Sequence, residues 1–400
     1  MKILYVTSGM NFELRRNSVE LIIIRELQKR GHQITIISTD INPYSGKVNK
    51  NSGSNYEKLT QNQNETIEIN KIPVYVLHCS LPKSFGVYCP NASDLAKRII
   101  SDYDVIHIAS WYHHPGLVFS KIALKHKIPY VFSGYAVLQP ENRNYRKIQK
   151  WLFDQFFTKK MISNASGLHS VGNKESSAYI ELGATNEKIH RIDPAISHED
   201  LEIKKHTKIL EKIGISEQKQ YLLFLGRILQ RKRIELIIYT FAKLIKTKKD
   251  LILVIAGPSE NLYDQKLKQL TRELGIEEHV RFPGVVLDDE KIEMLRHAKI
   301  LIHTAKGDIH PLSVEEALTI GIPVIITDCD MPEVSEYNAG MVVEPNTDSI
   351  YDALVILLNN EGLWKNFSQN AIKLASEMYR VSSQAKKYEE MYIEAMKNKS

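Results

Sequence analysis

The stretch GDIHPLSVEEALTIGIPVIIT, Gly307 to Thr327, carries two carboxylates, Asp308 and Glu316, eight residues apart and just ahead of an apolar strand. Ser313 followed three residues later by Glu316 is the pattern of a capping box, with a helix to about Ile320 and Gly321 as its stop. A helix rising from a strand-end loop also presents free N–H groups and the positive end of its dipole, which together favour an anion. A phosphate there would lie over Leu312–Val314, with Glu316 accepting from sugar hydroxyls and Asp308 reaching a second ring. Two readings stand at this point: a carboxylate pair that handles a nucleotide-sugar, and a plain helix cap beside a loop aspartate.

The surrounding chain alternates strands and helices. In the first half, strands are expected at 2–6, 33–38, 72–78, 104–109, 129–133, 167–172 and 188–193, with helices between them. A polar stretch at 42–64 reads as a long loop. The second half repeats the rhythm, with strands at 221–226, 251–257, 280–284, 300–305, 323–327 and 340–345. Such alternation predicts α/β architecture: two Rossmann-like domains whose parallel sheets face across a cleft. The boundaries expected are 1–198 and 199–377, with 378–400 packing back on the first domain. Ligands of such sheets sit at the carboxyl ends of the strands.

Two strand-end loops bear on a nucleotide. In FLGRILQRKRIELII, Gly226 permits close backbone approach, and Arg227 and Lys232 supply a fork and a point charge suited to a diphosphate. Four bases together (Arg227, Arg231, Lys232, Arg233) are also a common solvated surface. The loop SGMNFELRRNS after the first strand has a single glycine and no GxGxxG, and no GxxxxGK[ST] occurs, so neither a dinucleotide fingerprint nor a P-loop is present.

A chain of 400 residues suits two domains, and its 43% apolar and 25% charged residues are those of a globular protein. No apolar run is long enough for a membrane span, and the start is too short for a secretory signal. Cys79, Cys89 and Cys329 lack paired spacing, which argues against a disulfide framework and a zinc site and makes the cytoplasm the default compartment. The net charge of +6 is uneven: residues 1–200 hold 25 basic against 18 acidic side chains, and residues 201–400 hold 28 against 29. The basic half points to an anionic acceptor or an anionic membrane surface, and a merely uneven solvated surface explains it equally well. No nucleic-acid motif accompanies the charge.

These stretches together resemble the retaining glycosyltransferases of family four, which have the GT-B fold. The resemblance spans nearly the whole chain and rests on GHQITIIS, FLGRILQRKRIELII, VIAGPSE, VRFPGVV and, above all, the Gly307–Thr327 stretch with MPEV after it. The family pattern there is Glu, seven residues, Glu-Ala, then Gly-x-Pro-Val. This chain has Asp308, seven residues, Glu316-Ala317, then Gly321-Ile322-Pro323-Val324. The resemblance implies transfer of a sugar from a UDP- or GDP-sugar to a glycan, lipid-linked or small-molecule acceptor, with no cofactor and no metal. Asp308, Arg227 and Lys232 would be catalytic. Gly226, Gly257, His310, Pro311, Leu312, Ser313 and Glu316 would bind the donor.

The acceptor would meet the first domain, with His107, Tyr135 and Arg15 as candidates. Tyr135-Ala136 stands where the family has His-Gly or Arg-Gly, Leu14-Arg15 where it has Gly-Gly, and RIDPAIS where it has Pro-Asn-Gly. His107 reads either as a cleft residue at a strand end or as a satisfied core histidine. The segment YRKIQKWLFDQFFTKK (145–160) mixes aromatics with lysines; core packing is its commoner explanation, and peripheral contact with the inner face of an anionic membrane the alternative. Two rivals stand beside the transferase: a nucleotide-sugar epimerase on the same fold, and a nucleotide-sugar-binding protein without turnover.

Overall fold

Strands that are apolar on both faces fold into parallel sheets covered by helices, and the chain builds two. The structure, a computed structural model, describes residues 1–7, 19–40, 66–69, 71–80, 88–109, 112–135, 137–138, 147–216 and 219–398. Arg15, Leu14, Ala136 and the polar stretch 42–64 lie outside them. The described chain divides into Met1–Asp193 with Val381–Ser400, and Pro194–Arg380. The divisions differ from 198/199 and 377/378 because the Ile196 N–H donates to the Tyr379 carbonyl at 2.9 Å, which ties both crossing segments to the second unit.

In the first unit the strands are β1 (Lys2–Thr7), β2 (Gln33–Thr39), β3 (Ile67–Ile69), β4 (Ile72–Leu77), β5 (Val105–Ala109), β6 (Tyr130–Ser133), β7 (Gly167–Ser170) and β8 (Ile189–Arg191), in the order β3-β4-β2-β1-β5-β6-β7-β8. All neighbours are parallel except β3, which pairs antiparallel with β4. That edge strand was not expected from the sequence, because IEI (67–69) is too short to show a period. Its helices are α1 (Val19–Lys29), α2 (Ala92–Ile99), α3 (His114–Lys125), α4 (Lys147–Phe153), α5 (Lys159–Asn164) and α6 (Asn173–Glu181), and the returning α15 (Val381–Lys397) belongs to the same unit.

The second unit runs through α7 (Ile209–Lys212), β9 (Tyr221–Leu225), α8 (Ile234–Leu244), β10 (Ile252–Ala256), α9 (Tyr263–Glu273), β11 (Val280–Gly284), α10 (Asp288–Arg296) and β12 (Ile300–His303). It continues with α11 (Leu312–Thr319), β13 (Val324–Ile326), α12 (Glu333–Glu336), β14 (Gly340–Val342), α13 (Thr347–Asn359) and α14 (Glu361–Met378). The order is β11-β10-β9-β12-β13-β14, all parallel. Alternate residues feed opposite layers: Leu222 and Phe224 pack with α8 and α13, whereas Leu223 and Leu225 pack with α10 and α11. The order reverses at β9, whose successor β10 lies on one side and β12 on the other. Loops after β9 and β12 therefore meet at the switch point, the usual ligand crevice of an open α/β sheet.

Two expectations are corrected here. Cys79 and Cys89 form a disulfide, although their spacing suggested none. The pairing comes from a chain reversal after β4, where the Ser80 N–H donates to the Tyr88 carbonyl at 2.9 Å. In the helix begun by α4, Trp151 and Phe156 are exposed and Phe153 and Phe157 half-buried, so the aromatics do not all pack in the core. No helix among the described residues is long and apolar enough to cross a membrane.

Gly257 follows β10 with φ +140°, and a Cβ there would sit 1.9 Å from the Gly226 carbonyl oxygen. Two strand ends thus approach as closely as backbone allows. Gly257→Ala is expected to cost at least about 2 kcal/mol of stability. A urea midpoint equal to the parent's would show that the turn relaxes freely.

Candidate active site

The loop after β9 tightens into a 3-10 turn at Gln230–Lys232, and Arg233 enters the left-handed region (φ +49°) to start α8. This geometry turns consecutive bases in different directions. Arg227 stays exposed and pairs with Glu260 at 2.8 Å. Arg233 turns inward: its Nε donates to the Thr304 carbonyl at 2.7 Å, and a terminal nitrogen pairs with Asp328 at 2.8 Å. Arg231 and Lys232 both donate to the Asp308 carboxylate. The loop after β12 is stitched to them, since Lys306 N–H donates to the Arg231 carbonyl at 3.0 Å and Thr304 Oγ1 to that of Lys232 at 2.8 Å.

Asp308 takes a third bond from His303, the last residue of β12, whose Nε2 lies 2.8 Å from Oδ2. Burial alone would push the Asp308 carboxyl up, but the His303 hydrogen bond and the Lys232 charge hold it well below the usual carboxylate range. Burial pushes the Lys232 ammonium down, only partly offset by Asp308. The asymmetry has a simple origin: among the described residues the carboxylate has three donors, the ammonium this one acceptor. Burial also pushes the His303 imidazole down, against the pull of Asp308. Nε2–H donates to Asp308, and Nδ1 has no hydrogen-bond partner among the described residues. Sequence reading passed over Arg231 as one base in a surface run and His303 as the end of an apolar strand. A polar residue closing such a strand was the available signal.

The chain then climbs to α11. Pro311, extended at φ −66° and ψ 119°, is the N-cap, and no side chain caps the helix. The expected capping box is therefore absent: Ser313 already lies inside the helix, because proline two residues earlier fixes where helical backbone can begin. The Val314 and Glu315 N–H groups return to the Pro311 carbonyl at 2.8 and 3.3 Å, leaving those of Leu312 and Ser313 without a backbone partner among the described residues. These residues are half-buried, so the helix N-terminus is reachable. Gly321, at φ +80°, ends the helix as expected, with Ile322 N–H donating to the Ala317 carbonyl at 2.8 Å.

Glu316 is buried on α11 and accepts from Lys291 Nζ, on α10, at 2.7 Å. His310 differs from expectation. Its ring is buried, with Nδ1 2.8 Å from Glu315 Oε1 and 3.8 Å from Glu333 Oε1, so it braces the loop from inside instead of facing a ligand. Tyr379 closes that cluster by donating to Glu333 at 3.0 Å.

In the first unit His107 is corrected too. It is fully buried in β5, with Nδ1 2.7 Å from the Tyr392 hydroxyl and Nε2 2.7 Å from Ser133 Oγ, and burial holds it well below the usual histidine range. It is a core histidine, not a cleft residue. Tyr135, at the end of β6, shares a hydrogen bond with Tyr5 at 3.0 Å, and Tyr5 donates to Glu20 at 3.2 Å. Burial raises the Tyr135 phenol above its usual range and the Glu20 carboxyl to about 7. Glu20 carried no signal in the sequence beyond standing near the start of a helix.

Comparison with known proteins places the chain in a family. The family described as Glycosyl transferases group 1 matches residues 205–374, and that described as Glycosyltransferase Family 4 matches 21–200. The chain belongs to the group 1, family 4 glycosyltransferases. The N-acetyl-alpha-D-glucosaminyl L-malate synthase of Bacillus anthracis is 26% identical over 195 residues, 48% of this chain and 50% of that protein. The alpha-monoglucosyldiacylglycerol synthase of Streptococcus pneumoniae is 26% identical over 209 residues, 51% of this chain and 44% of that protein. The chain thus aligns with about half the length of these curated relatives. A structure of Anabaena Alr3699/HepE in complex with UDP aligns over 98% of this chain and 99% of that one, at a TM-score of 0.69 and 17% identity. The two Rossmann-like units are those of the GT-B fold.

Removing the Asp308 charge leaves Arg231 and Lys232 facing each other. Asp308→Asn should cost about 3 kcal/mol near neutral pH. The sign follows from a folded pKa below the unfolded one: the contribution is fully present above about 4 and shrinks as pH falls. Denaturant midpoints of parent and variant should therefore converge in acid, and a gap constant from neutrality into acid would remove Asp308 as the titrating group.

Proposed function

We propose that this glycosyltransferase moves a sugar from a nucleoside-diphosphate donor, a UDP- or GDP-sugar, to a glycan, lipid-linked or small-molecule acceptor, with retention at the anomeric carbon. The observation that carries the reading is the single carboxylate shared by Arg231 and Lys232 at the switch point, just before the open N-terminus of α11. Two cations against one anion leave positive charge in excess, and the Leu312 and Ser313 N–H groups, without a backbone partner among the described residues, add to it. A diphosphate completes that arrangement. Lys232 and Arg231, with Arg227 at the rim, then neutralise charge as it develops on the departing phosphate, a large catalytic contribution in general.

Glu316 accepts from the ribose hydroxyls, its carboxylate aimed by Lys291. Asp308 turns some of its acceptor capacity to the donor sugar. In the transfer the bond from the anomeric carbon to the phosphate oxygen breaks, and that to the acceptor oxygen forms on the same face. The departing phosphate takes the acceptor's hydroxyl proton. On this reading the positive charge comes from side chains, with no metal required, and the first unit holds the acceptor near Tyr135 and Glu20.

Release of nucleoside diphosphate from a panel of UDP- and GDP-sugars, with candidate acceptors, tests the proposal. Lys232→Ala should lower kcat about a hundredfold or more. Arg231→Ala should lower it further than Arg227→Ala, because Arg227 is the more exposed and pairs with Glu260 instead of Asp308. EDTA should leave the rate unchanged. Tight donor binding with no nucleoside diphosphate released from any pair would sink the transferase reading, and parent-like turnover in Lys232→Ala would sink the site.

A further inference from the structure

Residues 147–164 form one helical run in which a π-helical turn at Asp154–Thr158 joins α4 to α5. Asp154, Thr158, Met161 and Ile162 face the core. Asp154 is held there by hydrogen bonds from Thr158 at 2.7 Å and Tyr112 at 3.2 Å. The opposite side is apolar as well: Ile148 is 76% exposed, Trp151 54% and Phe156 68%, with Leu152 beside them. Single exposed apolar residues are ordinary, but four within nine residues on one side of a helix are not. Leu124, on the adjoining α3, is also exposed. Between α3 and α5 opens a cavity of about 350 Å³ lined by Leu117, Leu124, Phe157 and Met161, with Lys121 and Lys160 among its walls.

The charge around the patch is one-sided. Residues 114–127 and 147–164 contain seven lysines and one carboxylate, Asp154, which is buried and shows no charge to solvent. Lys121, Lys125, Lys159 and Lys160 are exposed around the apolar stripe. A convex stripe with an aromatic centre and a rim of long flexible cations suits a laterally fluid anionic surface. A folded acidic protein would instead need a groove shaped to Trp151 and Phe156.

We propose that this face docks on an anionic lipid bilayer, with Ile148, Trp151, Leu152 and Phe156 in the headgroup boundary and the lysines against lipid phosphates. The inference goes beyond the transfer reading and does not rest on the donor site, which lies in the other unit.

Vesicle flotation of the full chain tests it, using phosphatidylcholine alone and equal parts of phosphatidylcholine and phosphatidylglycerol. Binding is expected to the anionic vesicles only, to fall with salt, and to be accompanied by a blue shift of Trp151 emission. Trp151→Ser with Phe156→Ser, and separately Lys159→Glu with Lys160→Glu, should each weaken it roughly tenfold or more, at unchanged melting temperature and UDP binding. Failure of the parent to float with anionic vesicles would overturn the proposal. So would equal flotation of both variants, or a change of oligomeric state in the Trp151→Ser, Phe156→Ser pair with flotation intact.

Discussion

One ionised carboxylate organises the second unit. Asp308 gathers an ammonium, a guanidinium and an imidazole from two loops that the sheet order brings side by side. Without it Arg231 and Lys232 would repel each other in a partly buried space, where charge is poorly screened. With it the loops after β9 and β12 are fixed before any ligand arrives. An enzyme that stabilises a departing phosphate benefits from such preorganisation, because the cations need not be collected during the reaction. By resemblance the family carries glutamate here. The aspartate is one methylene shorter, and in this chain Lys232 and His303 both lie directly on its carboxylate.

The bracing continues behind the loop. His310 adopts a left-handed conformation (φ +45°) and turns its ring inward to Glu315, so that strain at one backbone position is offset by a buried hydrogen bond. Glu315 and Glu316, adjacent on α11, thereby take opposite duties. The first anchors the loop from inside, and the second meets Lys291 on a neighbouring helix. Adjacent helical residues point about 100° apart, so one Glu-Glu pair serves both directions.

Much of this was legible in the sequence. Buried parallel strands announce themselves as short apolar runs, and those of β9, β10 and β12 fixed where the loops had to be. Lys232, Asp308, Glu316 and Gly257 could be singled out from spacing and from the family resemblance. Arg231 could not, because in a run of three bases only the 3-10 turn and the left-handed Arg233 decide which one faces Asp308. His303 was hidden for the opposite reason, as a strand residue whose importance depends on a neighbour five positions away. The Ser313 cap misled because Ser-x-x-Glu is a local pattern, and Pro311 had already set the helix start. His107 misled because strand position does not tell which side of a sheet the returning α15 will cover, and Tyr392 comes from there. The disulfide depended on a chain reversal that no spacing encodes.

The π turn at Asp154–Thr158 carries a consequence for the register of the whole segment. A wide turn accommodates one residue more than a regular helix, so side chains before and after it are out of phase with a single α-helical wheel. That phase offset is what lets Met161 and Ile162 point at the core while Ile148 and Trp151, on the preceding turns, point away from it. Deleting one residue from the turn would restore a uniform helix and rotate the leading half by about 100°. Its hydrophobic stripe would then swing toward the flank of the unit. The outward apolar face is therefore a property of helix phase as much as of composition.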